Sequence, residues 1–483
     1  MQTQLLIDNK WAPALGGRTF ERRHPVTNEV VTTAAAADVA DAIRAADSAH
    51  AAFQGWRHST PTERRRVLLE AADALEARTP QFIMAMADEV GASQLWAGFN
   101  VMLAANLFRE AASLATQIQG ETIPTDKPGT LSMTVRQPVG VVLSIVPWNG
   151  PVVLAARAIA YPLVCGNAVV FRASESSPRT HTLVAEALVE AGLPPGVLNL
   201  VTNAPDQAPQ VIDALIAHEA VRRINFTGST RVGRIIAQQA ALHLKRCLLE
   251  LGGKSPLVVL ADADITAAVK SAIFGTFLYQ GQICMSTERI IVDASIADQF
   301  VSEFAARARE LPAGDPKVNA QCVIGPMVSK SSGSRLNALI DDALSKGARL
   351  ACGGRADGAS MAATIVDYVL PTMKIYDEET FGPITTIVRV NGEQEAVAAA
   401  NDTAYGLSSA VFGRDVTRAL AVAMQIDTGS CHINGSTVQN EAQAPYGGTK
   451  DSGYGRFDGR AVIDEFTELK WITIEPASQP YPV

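Results

Sequence analysis

The chain has 483 residues, more than one hydrophobic core usually serves, so two or more domains are expected. Hydrophobic residues make up 47% and charged residues 19%, the balance of a globular protein with a sizeable core. A formal net charge of −8 with no basic block argues against tight binding to nucleic acid or anionic lipid through phosphates.

The opening MQTQLLIDNKWAP has neither the basic n-region nor the apolar h-region of a secretory signal, and no apolar run reaches the length of a bilayer span. The six cysteines (Cys165, Cys247, Cys284, Cys322, Cys352 and Cys431) are scattered, without a C-x-x-C pair or disulfide-framework spacing. A reducing cytoplasm is expected, in which each is a small core residue or a reactive thiol. The seven histidines are isolated too, which gives a metal site no support.

Residues 38–117 carry the Ala-rich amphipathic spacing of helices. The next stretch, ETIPTDKPGTLSMTVRQPVG, mixes proline, glycine and alternating residues, the pattern of a hairpin excursion. From residue 139 short apolar strands (VGVVLSIV, AVVFR, GVLNLV, VRRINF) alternate with helical stretches, which predicts right-handed crossovers and a parallel sheet. CLLEL and SPLVVL open another strand–helix series running toward residue 435, the pattern of a second α/β domain. The terminal EFTELKWITIEP has strand-like residues and no local partner, so pairing elsewhere, on another subunit for instance, is expected.

Five short segments could carry chemistry. FTGSTRVG (226–233) follows a strand and leads into a helix, placing the Gly228, Ser229 and Thr230 amides at a helix N-terminus that suits a pyrophosphate. Gly228 and Gly233 allow close backbone approach there. The G-x-G-x-x-G fingerprint is absent, and a Gly-Ser-Thr turn is equally an ordinary helix cap. GYGRFDG (453–459) only approximates that fingerprint, and GGKS (252–255) is not a P-loop. PWNG (147–150) stands at the carboxyl end of VGVVLSIV, where ligands of open α/β sheets gather. Its Asn149 amide could meet a developing oxyanion, or the segment could be a plain turn. Cys284, in GQICMSTER, is a nucleophile or an inert core thiol. Glu250, ending an apolar strand before a Gly-Gly turn, is a paired or a functional carboxylate. EETFGP (378–383) is an acidic-aromatic turn with no unique meaning alone.

In this order and spacing, PWN, FTGSTRVG, LELGGKSP, GQICMSTER, EETFGP and PYGGTKDSGYGRFDG resemble the aldehyde dehydrogenases over nearly the whole chain. The resemblance implies an α/β fold: a Rossmann-like NAD-binding domain (1–118 and 139–250), an α/β catalytic domain (251–435), and a small β oligomerisation arm with a C-terminal segment (119–138 and 436–483). A homodimer or homotetramer is expected. It further implies that Cys284 attacks an aldehyde carbon, that Asn149 and the Cys284 backbone N–H hold the oxyanion, and that Glu250 activates water to release the acid.

Cofactor positions carry over in the same way. Trp148, Gly228, Ser229 and Gly233 match those around the pyrophosphate, and Glu379 and Phe381 match those at the nicotinamide ribose. Where the family usually has K-P-S-E at the adenosine ribose, this chain has Arg172, Ala173, Ser174 and Glu175. Glu175 suits ribose hydroxyls and repels a 2′-phosphate, which favours NAD; Arg172 pulls the other way.

The substrate tunnel falls to Trp96, Phe99, Gly150, Arg157, Ile283, Met285 and Tyr446, whose flat apolar walls suit an aromatic ring. Arg157 lies in a nearly charge-free helix, so it needs a partner, either a structural carboxylate or a polar group of the substrate. WAGFNV, AARAIAYPLVCGN and HINGSTVQNEAQAPYGG resemble the bacterial aromatic aldehyde dehydrogenases, those for salicylaldehyde first and vanillin next. The competing classes are a cysteine-dependent esterase and a non-catalytic binding protein. An acylating enzyme that passes the thioester to coenzyme A is a further alternative. Retention of Glu250 argues against the last.

Overall fold

The computed structural model describes residues 1–478 and 481, so positions 479, 480, 482 and 483 of the expected C-terminal segment lie outside the described residues. A short hairpin, β1 (Leu5–Ile7) and β2 (Lys10–Ala12), precedes four helices over the stretch with helical spacing. These are α1 (Val39–Trp56), α2 (Pro61–Ala77), α3 (Thr79–Val90) and α4 (Gln94–Leu114). Each boundary has a local cause. Asp38 and Asp41 form a capping box on α1, and Thr60 accepts from the Glu63 N–H to start α2. Gly91 ends α3 in the left-handed conformation, and the Ser93 hydroxyl accepts from Trp96 N–H to start α4.

The chain then runs out as β3 (Leu131–Pro138) and returns to the body as β4 (Val141–Ile145). Next come α5 (Pro151–Val164), β5 (Ala168–Arg172), α6 (Pro178–Glu190), β6 (Leu198–Val201), α7 (Ala208–Ala217), β7 (Val221–Thr227), α8 (Thr230–Leu242) and β8 (Arg246–Glu250). The resulting eight-stranded sheet has the order Gly453–Tyr454, β8, β7, β4, β5, β6, β1, β2. Strands β4, β5 and β6 are buried at every residue, as expected where helices cover both faces of a parallel sheet. From β4 the chain winds outward through β5 and β6, then comes back to lay β7 on the other side of β4. Order reverses between β4 and β7, and the crevice at their carboxyl ends is where open α/β sheets bind ligands.

A second, seven-stranded sheet is built from β9 (Pro256–Val259), β10 (Arg289–Asp293), β11 (Arg349–Cys352), β12 (Thr364–Asp367), β13 (Ile384–Val390), β14 (Ser408–Phe412) and β15 (Ser430–Ile433). Its order is β11-β12-β13-β10-β9-β14-β15, parallel except at β11. The second series therefore begins one strand later than the sequence pattern suggests. CLLEL is β8 and pairs in register with β7, and the Leu251–Ser255 crossing carries the chain into the second sheet.

The terminal strand does pair with a segment remote in sequence. β16 (Thr467–Ile474) pairs antiparallel with β3 of the same chain, from Thr467↔Pro138 to Ile474↔Leu131. This partner lies more than 300 residues earlier in the same chain. Among the described residues, no helix is long and apolar enough to cross a membrane.

Candidate active site

The PWNG turn leaves the end of β4, with Gly150 as the N-cap of α5 and Pro151 in its first turn. The Asn149 side chain is buried, and its Nδ2 donates to the Gln282 carbonyl at 3.0 Å. Its own backbone carbonyl accepts from the Trp96 indole N–H at 3.0 Å. One wall of the site is thereby tied to the residue expected to hold an oxyanion. Cys284 follows a tight 3-10 turn in which Tyr279 and Gln280 both take positive φ. Its Sγ lies 3.2 Å from the Tyr446 hydroxyl. Burial pushes the Cys284 thiol up to about 11, with the Tyr446 hydrogen bond working the other way.

Glu250 ends β8 and is 2% exposed, and neither carboxylate oxygen has a hydrogen-bond partner among the described residues. Burial raises this carboxyl well above its ordinary range, while Arg157 and Arg456 pull it back down. An unpartnered buried carboxylate is expensive to keep and suits a group that waits for water or substrate.

Two cavities meet at Asn149 and Cys284. The first, about 230 Å³, is lined by all the residues expected of a substrate tunnel: Trp96, Gly150, Arg157, Ile283, Met285 and Tyr446, with Phe99. Trp96 stacks between Phe99 and Tyr279, with ring centroids at 5.7 and 4.9 Å. Sequence reasoning missed Phe274, which also lines this cavity from the helix Ile265–Phe277, an apolar stretch with no motif to single it out.

The partner that Arg157 requires is Asp458. Arg157 Nε and Nη2 donate to its two carboxylate oxygens at 3.1 and 2.9 Å, and both side chains are buried. The guanidinium also lies over the Tyr446 ring, 4.4 Å from its centroid. Asp458 sits inside GYGRFDG, a segment whose sequence offers only an imperfect nucleotide fingerprint. The need of Arg157 for a carboxylate is the one available signal, and it does not say which.

The second cavity, about 270 Å³, opens at the β4/β7 switch point between the PWN turn and the Thr227–Ser229 turn. Of the residues expected at the cofactor, it brings together Trp148, Gly228, Ser229, Glu379 and Phe381. Trp148 and Phe381 meet edge to face at 5.8 Å. At Gly252 a Cβ would come within 2.7 Å of the Glu379 carboxylate, so a larger residue there would have to displace that side chain. Glu379 Oε1 accepts from the Gly253 N–H at 3.0 Å, and burial lifts its carboxyl to about 7. The Ser229 side chain caps α8, whose N-terminal dipole faces the cavity mouth.

Gly233, Arg172, Ser174 and Glu175 do not line this cavity. Gly233 packs α8 against Leu251, where a Cβ would come within 2.4 Å of a leucine methyl. Arg172 is committed: Nε donates to Asn203 Oδ1 and Nη2 to Glu175 Oε2, both at 2.9 Å. Ser174 Oγ accepts from the Ser176 N–H at 3.2 Å.

The profile of the aldehyde dehydrogenase family matches residues 11–472, nearly the whole chain. This chain belongs to the aldehyde dehydrogenase family. As an aldehyde dehydrogenase it is an enzyme of aldehyde oxidation, in a family that uses NAD or NADP. It is 67% identical over 482 residues to a salicylaldehyde dehydrogenase of Pseudomonas putida, covering 100% of both chains. With a vanillin dehydrogenase of Pseudomonas fluorescens it shares 53% over 483 residues, again covering 100% of both. The crystal structure of a salicylaldehyde dehydrogenase from Pseudomonas putida G7 complexed with salicylaldehyde superposes with a TM-score of 0.99 at 66% identity, over 100% of both chains.

Proposed function

We propose that this aldehyde dehydrogenase oxidises aromatic aldehydes, salicylaldehyde to salicylate foremost, with NAD as the hydride acceptor. The observation that carries the reading is the apolar cavity that ends at Cys284 Sγ between the rings of Trp96, Phe99 and Tyr446. Flat walls of this kind favour a planar ring over a short flexible chain. The likeness to salicylaldehyde and vanillin dehydrogenases supports the same class.

In this reading Cys284 passes its thiol proton to solvent water and its sulfur adds to the aldehyde carbon, converting the carbonyl oxygen to an oxyanion. Asn149 Nδ2, turning from Gln282, and the Cys284 N–H stabilise that oxygen. Bound NAD supplies an acceptor for the hydride that then leaves the substrate carbon. The resulting thioester on Cys284 is opened by water whose proton Glu250 takes, which releases the carboxylate and restores the thiol. Trp148 and the Gly228–Ser229 turn hold the pyrophosphate end, and Glu379 and Phe381 hold the nicotinamide ribose.

NAD is preferred over NADP because Glu175 suits ribose hydroxyls and repels a 2′-phosphate, while Arg172, with Nε and Nη2 held by Asn203 and Glu175, keeps only Nη1 to attract one. Arg157 Nη1 has no hydrogen-bond partner among the described residues and donates to a ring hydroxyl of the substrate.

The assignment of residues 1–118 and 139–250 to the cofactor, and 251–435 to catalysis, belongs to this reading. So does a homo-oligomer in the cytoplasm, joined through the β3–β16 ribbon. A lone two-stranded ribbon is marginal in water, and this one exposes Leu131, Leu469, Trp471 and Ile474.

NADH formation with salicylaldehyde, benzaldehyde, vanillin and acetaldehyde tests the proposal. The aromatic aldehydes should exceed acetaldehyde in kcat/KM by about 100-fold or more. Equal efficiencies would remove the case for an aromatic site. A salicylaldehyde efficiency below that of vanillin would reassign the preferred substrate.

A further inference from the structure

Lys254 and Glu288 form a buried ion pair that the chemistry above does not use, with Nζ and Oε2 2.7 Å apart and side chains 0% and 3% exposed. Lys254 stands four residues after Glu250, and Glu288 four residues after Cys284. The pair thus bridges the segments that carry the base and the nucleophile.

Among the described residues, every other side-chain bond of the pair goes to a third segment, the turn at 378–381. Lys254 Nζ donates to the Glu378 carbonyl at 2.7 Å. The Glu288 carboxylate accepts from the Thr380 and Phe381 N–H groups at 3.0 Å and from the Thr380 hydroxyl at 2.6 Å. Phe381 is held at φ 46°, a left-handed conformation that a bulky residue adopts only when its surroundings fix it. Glu379 and Phe381, on either side of Thr380, are the two side chains that this turn presents to the second cavity.

Stability alone is a weak reason for such a pair, since apolar residues of similar volume often serve as well. Geometry is a better one. We propose that Lys254 and Glu288 are positioning residues for the cofactor pocket, locking the 378–381 turn so that Glu379 and Phe381 meet the ribose and nicotinamide end of NAD. The proposal rests on the assignment of that pocket to NAD.

Single variants leave a lone buried charge and risk misfolding, so the informative protein is Lys254→Met with Glu288→Met, compared with Thr380→Val and wild type. NAD affinity is measured by calorimetry without aldehyde, and amide exchange is followed over residues 376–384 and over the strands of both sheets. The double variant should bind NAD roughly tenfold or more weakly, as a small displacement of positioning groups does. Faster exchange should be confined to the 378–381 turn, with Thr380→Val intermediate. A folded double variant with wild-type NAD affinity would overturn the proposal. So would exchange that rises across both sheets in step with the loss of affinity. Wild-type enzyme that fails to bind NAD would refute the pocket's assignment instead.

Discussion

Replacing Asp458 by Asn tests how the substrate cavity is held together. The change removes one charge and little volume, and leaves Arg157 buried with two charge-assisted hydrogen bonds weakened. Breaking one side of a buried pair costs about 3–5 kcal/mol, most of it the cost of the stranded charge. With an unfolding entropy of about 2.1 cal/mol/K per residue, that lowers Tm by roughly 3–5 °C if the whole chain melts together, and by more if one domain melts alone. Function should suffer as well, because the Arg157 guanidinium lies on the Tyr446 ring whose hydroxyl meets Cys284 Sγ. Calorimetric melting and kcat/KM for salicylaldehyde read the two effects separately. Arg157→Met combined with Asp458→Asn, which tolerates the positive φ of 64° at this position, should recover most of the stability and little of the activity. A double variant as unstable as Asp458→Asn would refute the idea that the stranded charge causes the loss.

Other variants follow from the same geometry. Asn149→Ala should lower kcat by about 100-fold or more while leaving the dissociation constant of NAD within about twofold, since an oxyanion donor acts chiefly on the transition state; parallel losses in both would contradict that role. Glu250→Gln should still release a burst of one NADH per site and then stall, because only thioester hydrolysis needs the base; undiminished steady turnover would sink the assignment. Arg157→Lys should reduce kcat/KM for salicylaldehyde more than for benzaldehyde, and equal reductions would end the claim that it reads the hydroxyl. The pH dependence of Cys284 has a definite sign. Burial disfavours the thiolate and sets the resting thiol near about 11, so alkylation of the free enzyme by iodoacetamide should accelerate steadily from neutral pH toward that value. A plateau near neutrality would show an activated thiolate instead.

Much of this site is legible in the amino-acid sequence, and for a physical reason. The turns at 147–150, 226–233 and 378–383 combine glycine, proline and small polar residues between apolar strands, and such turns mark the carboxyl ends of a parallel sheet. The walls of the first cavity are legible for another reason, since Trp96, Arg157 and Tyr446 lie in the segments resembling aromatic aldehyde dehydrogenases. What the sequence hides acts through remote pairing. Asp458 meets Arg157 across 301 residues and Glu288 meets Thr380 across 92, and neither carboxylate sits in a local pattern that distinguishes it from a surface acid. The β16 strand looks unpartnered in sequence because β3 lies more than 300 residues away, although the two form one ribbon. CLLEL is misplaced into the second series because a Gly-Gly turn gives no sign of which sheet receives the strand before it.

The central claim is that Cys284 carries the acyl group of an aromatic aldehyde. Its most direct test is mass spectrometry of the Glu250→Gln enzyme quenched after mixing with salicylaldehyde and NAD. The peptide containing Cys284 should gain the mass of one salicyloyl group, in step with the NADH burst, and omission of NAD should leave it unmodified. NADH formed with Cys284 unmodified, or the label found on another cysteine, would contradict the account.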